Sequence, residues 1–198
     1  MRRLLKDCID RMGAGILIVA LAPVMMLVSV MVLMDDGLPV IYRRRVLGQR
    51  SPFDAYKFRS MRRDADAMLA RDKGLRSEFE RNFKLKKDPR LTRVGAWLRK
   101  FSLDELPQLF NVVRGQMSLV GPRMISPSEI EKYGRYGEML LSVKPGITGY
   151  WQVRGRQNVS YEERVRMDMY YIENWSLGLD MAILLWTPVK VFQREGAY

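Results

Sequence analysis

Two adjacent carboxylates, Asp104 and Glu105, stand in the segment Ser-Leu-Asp-Glu-Leu-Pro at residues 102–107. Ser102 followed three residues later by Glu105 has the pattern of a helix capping box, and Pro107 offers an alternative first helical residue. Either reading puts Asp104 at or near a helix amino terminus. Free N–H groups and the helix dipole there favour an ionised carboxylate and hold phosphate. An ionised aspartate beside bound phosphate can attack phosphorus. The same residues also suit a plain helix cap.

Other residues could supply the partners of such chemistry. Gly121-Pro122-Arg123 is a tight turn followed by a guanidinium, which grips phosphate through two parallel hydrogen bonds. Lys57-Phe58-Arg59 alternates cation and aromatic on an expected strand, placing both cations on one face. Arg154, Arg156, Gln157 and Asn158 form a polar cluster suited to a nucleotide or sugar, and Asp168 lies on an expected helix near Tyr170 and Tyr171. Each also has an ordinary reading as a solvated face, a surface arginine or an ion-pair partner.

Composition narrows the choice. The 198 residues contain no histidine, which removes the commonest general base and metal ligand. A cation cofactor would then prefer oxygen ligands, Mg²⁺ before Zn²⁺. The single cysteine, Cys8, excludes an internal disulfide and fits a reducing compartment. The net charge of +12 is concentrated in residues 43–100, with nineteen basic and seven acidic side chains. That block should face something anionic: nucleic acid, lipid head groups or nucleotide phosphates. It carries no recognised nucleic-acid motif, so nucleic acid is not expected as a partner.

The elements that must position these groups are mostly helical. Val40–Arg44 and Phe53–Phe58 predict a β-hairpin around a loop from Gly48 to Pro52. Helices are expected over Ala65–Lys84 with a break at Gly74, and over Arg93–Lys100, Leu106–Val113, Ser128–Ser142 and Ser160–Trp175. Asp88-Pro89 marks a turn, residues 115–122 a loop or short strand, and Lys144–Gly149 a turn-rich connector. Met181–Val189 is uncharged but too short to span a bilayer. With Trp175, Trp186 and Lys190 around it, it suits a lipid interface or an amphipathic core helix.

Met12–Met34 is 23 residues without a charge, long enough to span a bilayer core of ~30 Å as a helix. Pro23 at its midpoint removes a backbone hydrogen bond and predicts a kink. Each arm then reaches about 16 Å, roughly half a bilayer. Basic residues flank both ends (Arg2, Arg3, Lys6 and Arg11 before; Arg43, Arg44 and Arg45 after), so the positive-inside rule orients no span. The reading favours a helix that enters, turns at Pro23 and leaves by the same face over one that crosses.

Five stretches carry a resemblance over nearly the whole chain: residues 57–61 (KFRSM), 88–95 (DPRLTRVG), 98–109 (LRKFSLDELPQL), 117–123 (MSLVGPR) and 144–156 (KPGITGYWQVRGR). Together they resemble the bacterial sugar transferases, or monotopic phosphoglycosyl transferases, in minimal form. The resemblance implies an α+β, mainly helical fold with a small β-hairpin and interfacial amphipathic helices. Residues 1–39 would be a re-entrant membrane helix and its flanks, and residues 40–198 a catalytic domain on the cytoplasmic face of the inner membrane. The implied reaction moves a phosphosugar from a UDP-sugar to polyprenyl (undecaprenyl) phosphate through a covalent aspartyl intermediate. It releases UMP and begins the membrane assembly of a glycoconjugate. The resemblance makes Asp104 the nucleophile, Glu105 a Mg²⁺ ligand with Asp104 a second candidate, and Arg123 a phosphate contact. It places Asp168 at the active site, and Lys57, Arg59, Arg156 and Asn158 at substrate. A homodimer stays open. The family's usual Ser-Pro bend is here Ala22-Pro23, and Met124 follows Gly-Pro-Arg where a second proline is common.

Overall fold

A computed structural model describes residues 2–82, 85, 88–155 and 159–192. The fold is mainly helical, with one small antiparallel hairpin. Helix α1 runs from Arg2 to Asp36, longer than the apolar stretch, with Pro23 inside it. Ser29 Oγ donates to the Met25 carbonyl 2.7 Å away, a back-bond that lies one turn beyond the proline.

Both ends of α1 are tied to the rest of the protein. Near the first end, Lys6 reaches Asp180 at 2.7 Å and Asp7 pairs with Lys144 at 2.8 Å. At the last turn, Arg59 donates to the Asp36 and Gly37 carbonyls at 2.8 and 2.6 Å. Between the ends, Ala14, Val28 and Val32 enter the hydrophobic core. The opposite face leaves Ile16, Val19, Met26, Leu27 and Met34 exposed. The helix is long and apolar enough to cross a membrane, and only 11% of its most apolar window is buried. A core helix of a soluble fold would be mostly covered.

Strands β1 (Ile41–Val46) and β2 (Phe53–Phe58) form the expected hairpin, in register from Ile41 opposite Phe58 to Val46 opposite Phe53. Short helices α2 (Ala65–Arg71) and α3 (Lys73–Asn82) follow. The break falls at Asp72 rather than Gly74, because the Asp72 carboxylate accepts the N–H groups of Gly74 and Leu75 and starts a new helix. Helix α4 (Arg93–Lys100) is capped by Thr92, whose hydroxyl accepts the Gly95 N–H. A 3₁₀ turn at Leu103–Glu105 leads into α5 (Gln108–Val113).

Strand β3 (Ser118–Val120) pairs in parallel with β4 (Gly146–Thr148), so the turn-rich connector contains a strand. Three residues are too few for a periodic signal. The pairing depends on glycine: a Cβ on Gly146 would lie 2.1 Å from the Gly121 nitrogen. Between the strands, Pro127–Tyr136 is 3₁₀, broken at Gly134, and α6 spans Gly137–Leu141. Helices α7 (Tyr150–Arg154), α8 (Tyr161–Glu173) and α9 (Leu177–Phe192) complete the described chain. A capping box does form at α8, where Ser160 and Glu163 exchange side-chain-to-backbone bonds.

The main core joins α1, the hairpin, α5, β3 and α9 through Ala14, Val46, Leu109, Val112, Leu119 and Ile183. Met181, Leu185, Trp186 and Val189 project outward from α9, adding apolar surface to that of α1.

Candidate active site

Strand β2 delivers Lys57, the 3₁₀ turn delivers Asp104 and Glu105, and the turn after β3 delivers Arg123. Lys57 Nζ lies 2.6 Å from Glu105 Oε1, and Arg123 Nη2 lies 3.4 Å from the same oxygen. Glu105 therefore bridges two cations from separate elements. The expected capping box at Ser102 does not form: Ser102 makes no side-chain cap bond and sits at φ 56°, in the left-handed region. The Glu105 carboxylate is taken by Lys57 and Arg123 instead. Among the described residues Ser102 is the one non-glycine with positive φ, a strained backbone of the kind that clusters at functional sites.

Asp104 is 6% exposed. Its burial raises the carboxyl above the ordinary range, and Glu105 adds to the rise. Lys57, Arg99 and Arg123 oppose it. For Glu105, burial also acts upward, but Lys57 and Arg123 overcome it and hold the carboxyl at about 2. The two neighbours thus differ in character: Glu105 carries a firm negative charge, while Asp104 is held closer to its neutral form.

Arg99 is a cation the sequence reading passed over. It lies in α4, donates to Ser60 Oγ at 3.0 Å, and favours ionisation of both carboxylates. Its own charge is disfavoured by burial. Gly95 allows this approach, since a Cβ there would lie 2.0 Å from the Ser60 carbonyl oxygen. The signal was present in the Leu-Arg-Lys-Phe-Ser-Leu-Asp-Glu stretch, where Arg99 stands five residues before Asp104.

Asp168 is fully buried and accepts the Tyr133 hydroxyl at 2.8 Å. Burial raises its carboxyl to about 7 against the pull of Arg164, 4.0 Å away, and of Tyr133. Arg123 lies close enough for its guanidinium and backbone N–H to favour the charged form. Asp168 therefore sits behind Arg123, not on a free surface. Arg164 is stacked against Trp151 and Tyr161, at 5.1 and 5.0 Å from the ring centroids.

Arg59 departs from the sequence expectation. Its guanidinium does not join Lys57 at Glu105; it reaches the end of α1, where it also pairs with the Asp36 carboxylate at 3.1 Å. The last turn of a helix leaves carbonyls without partners, and a guanidinium meets two at once. Arg156 and Asn158, with Gln157, lie outside the described residues. Arg154 stacks on Tyr150 at 5.8 Å.

Among the described residues no three Asp, Glu, His or Cys side chains gather as a metal cage. An adjacent carboxylate pair with one oxygen-rich edge is nevertheless the donor set Mg²⁺ uses when substrate phosphates complete its shell. Glu105, with its low proton affinity, fits the role of first ligand and Asp104 that of second. Three cations around two carboxylates can hold a diphosphate against a potential nucleophile.

Comparison with known proteins gives the family. The chain is 46% identical over 200 residues to a UDP-galactose-lipid carrier transferase of Erwinia amylovora, covering 99% of this chain and 42% of that protein. It is 45% identical over 201 residues to an undecaprenyl-phosphate galactose phosphotransferase of Salmonella typhimurium, again 42% of the relative. It is 40% identical over 198 residues to the exopolysaccharide production protein ExoY of Sinorhizobium fredii, covering 98% of the chain and 88% of the relative. The chain thus spans less than half of the first two relatives and most of the third. The bacterial sugar transferase profile matches residues 1–194, and the chain belongs to that family.

Proposed function

We propose that this chain transfers a sugar phosphate from a UDP-sugar to polyprenyl (undecaprenyl) phosphate, with Asp104 as covalent nucleophile. The observation that carries the reading is the convergence of Lys57, Arg99 and Arg123 on the Asp104–Glu105 pair. Names of relatives support the substrate classes, among them a UDP-glucose:undecaprenyl-phosphate glucose-1-phosphate transferase of Escherichia coli at 37% identity.

In the first step a carboxylate oxygen of Asp104 attacks the sugar-linked phosphorus. The phosphoanhydride bond to UMP breaks, UMP leaves with the electron pair, and the phosphosugar remains bound to Asp104 as an acyl phosphate. In the second step an oxygen of polyprenyl phosphate attacks that phosphorus, and the Asp104 carboxylate is regenerated. Lys57 and Arg123 keep Glu105 ionised and in place, and Arg123 and Arg99 supply positive charge for the phosphates. Mg²⁺ bound by Glu105 and Asp104 would neutralise diphosphate charge. Because the nucleophile is a carboxylate, no histidine is needed to activate it.

The reading places the protein at the cytoplasmic face of the inner membrane. Residues 1–39 are its membrane helix and flanks, and residues 40–198 its catalytic part. The exposed apolar faces of α1 and α9 support the membrane association. The docking of both ends of α1 onto the same body supports a helix that returns to its own side, with Pro23 at the bend.

The test is nucleotide release. The protein in lipid, given Mg²⁺, polyprenyl phosphate and a panel of UDP-sugars, should release UMP with at least one donor. Intact mass should show a phosphosugar adduct that Asp104→Asn lacks. Release of UDP would point to transfer of the sugar alone and overturn the proposal, as would full turnover by Asp104→Asn.

A further inference from the structure

An open groove of about 430 Å³ lies between α1, the β1–β2 hairpin and α5. Met25 and Met26 of α1, Phe58 of β2 and Phe110 of α5 give it apolar walls. Met26 is 69% exposed, so the groove opens onto the apolar face of α1. Its lining also includes two exposed arginines, Arg43 and Arg114. Their guanidinium carbons lie 5.9 and 5.1 Å from the centroid of the Tyr56 ring.

Among the described residues neither arginine has a carboxylate partner. Two like charges gathered on one aromatic ring without a counter-ion repel each other, and a phosphate monoanion or diester would relieve both. Cationic head and hydrocarbon wall together match an amphiphile. The strand register says which one. Arg43 stands opposite Tyr56, so the two share one face of the hairpin. Lys57 is the next residue along β2, turns to the other face, and meets Glu105. A phosphate held by Arg43 and Arg114 is therefore on the side of the hairpin away from the carboxylate pair, and is not the reacting phosphate.

We propose that this groove binds one anionic phospholipid of the bilayer. Its phosphate sits between Arg43 and Arg114, and an acyl chain runs over Phe110 toward Met25 and Met26. The lipid ties α1 to the hairpin and to α5, the elements that flank Lys57 and Glu105. This site is additional to the acceptor's and does not depend on the reaction proposed above.

Native mass spectrometry of the full chain tests it, with dioleoyl phosphatidylglycerol and dioleoyl phosphatidylcholine supplied at equal concentration. One phosphatidylglycerol should be retained per chain in preference to phosphatidylcholine. Retention should fall at least tenfold in Arg43→Gln/Arg114→Gln and stay unchanged in Arg71→Gln/Arg166→Gln, which removes two exposed arginines outside the groove. Phe110→Ser should weaken retention without adding a charge beside either arginine. Equal retention of the two lipids, or full retention by the groove double variant, overturns the proposal. So does displacement of phosphatidylglycerol by equimolar polyprenyl phosphate coupled to a raised KM for that acceptor in the double variant. That result would make the groove the acceptor's own.

Discussion

The ammonium of Lys57 lies 2.6 Å from Oε1 of Glu105, with the two side chains 14% and 15% exposed. A pair this buried is costly to break from one side, because the partner left behind keeps its charge. Lys57→Met should destabilise the protein at pH 7 by about 3 kcal/mol, the low end for such losses because Arg123 remains near Glu105. Lys57→Arg should recover most of the loss. Glu105 is held at about 2, below its unfolded value of 4.5, so its contribution is present above pH 4.5 and lost as pH falls toward 2. Urea denaturation across pH 7 to 3 should show wild type and Lys57→Met converging. A gap that stays constant would detach the effect from Glu105.

Asp104 has the opposite sign. Burial raises its carboxyl, so folding pays to keep it ionised at neutral pH. Asp104→Asn removes that demand while preserving shape. The variant should melt at the same temperature as wild type or a few degrees higher at pH 7.5, yet form no covalent adduct. Such a trade between stability and activity is expected where a reactive group is held against its preference. A melting temperature well below wild type would mean that Asp104 is chiefly structural.

The sequence made legible what depends on neighbours along the chain. The hairpin, the helix over Arg93–Lys100 and the carboxylate pair follow from local patterning, turn residues and motif. What it concealed depends on pairing across distance. Ser102 and Glu105 have capping-box spacing, but Lys57 and Arg123, 48 and 18 residues away from Glu105, bind its carboxylate more strongly than a backbone N–H would. Lys57 and Arg59 alternate as on a strand, yet β2 ends at Phe58 and the Arg59 side chain is taken by the Asp36 and Gly37 carbonyls at the end of α1. Strand β4 is three residues held to β3 by glycine contacts, which no periodicity announces.

Arg59 is held at the end of α1. It is 7% exposed and meets two carbonyls and a carboxylate at the end of α1. Arg59→Ala should lower stability by about 2–4 kcal/mol, as expected for losing a buried hydrogen-bonded charge that leaves carbonyls unmet. The KM for the UDP-sugar, measured on the folded fraction, should change less than twofold. A large rise in KM at unchanged stability would return Arg59 to the substrate site.

At the other end of α1, Asp180 of α9 gathers Lys6, the Tyr171 hydroxyl and the Trp175 indole N–H at 2.7, 2.7 and 3.0 Å. The adjacent Asp10 accepts the Ser118 hydroxyl at 2.6 Å. Asp180→Ala leaves the Trp175 indole without an acceptor, Lys6 with Asp10 alone at 3.4 Å and the Tyr171 hydroxyl with the Val120 carbonyl alone, and should loosen the first turns of α1. Hydrogen exchange should rise over residues 4–12 while residues 28–36, tied down by Arg59, keep their protection. Uniform exchange along the helix would show that its two ends are not docked independently.

Asp168 should make the fold sensitive to pH. Its carboxyl stands at about 7 in the folded protein, against 3.8 as its reference value. A raised folded value means that stability is fully present below pH 3.8 and is lost as pH rises through 7. At 1.36 kcal/mol per unit the limit is about 4 kcal/mol. Asp168→Asn stays neutral at every pH and still offers Tyr133 an acceptor oxygen. Melting temperature should fall between pH 5.5 and 8.5 more steeply in wild type than in the variant. Because Asp168 sits behind Arg123, the variant should also raise the donor KM severalfold with a smaller change in kcat, the mark of a displaced phosphate contact. Equal pH slopes would show that the buried carboxyl is already ionised across this range, with Arg164 supplying the compensating charge.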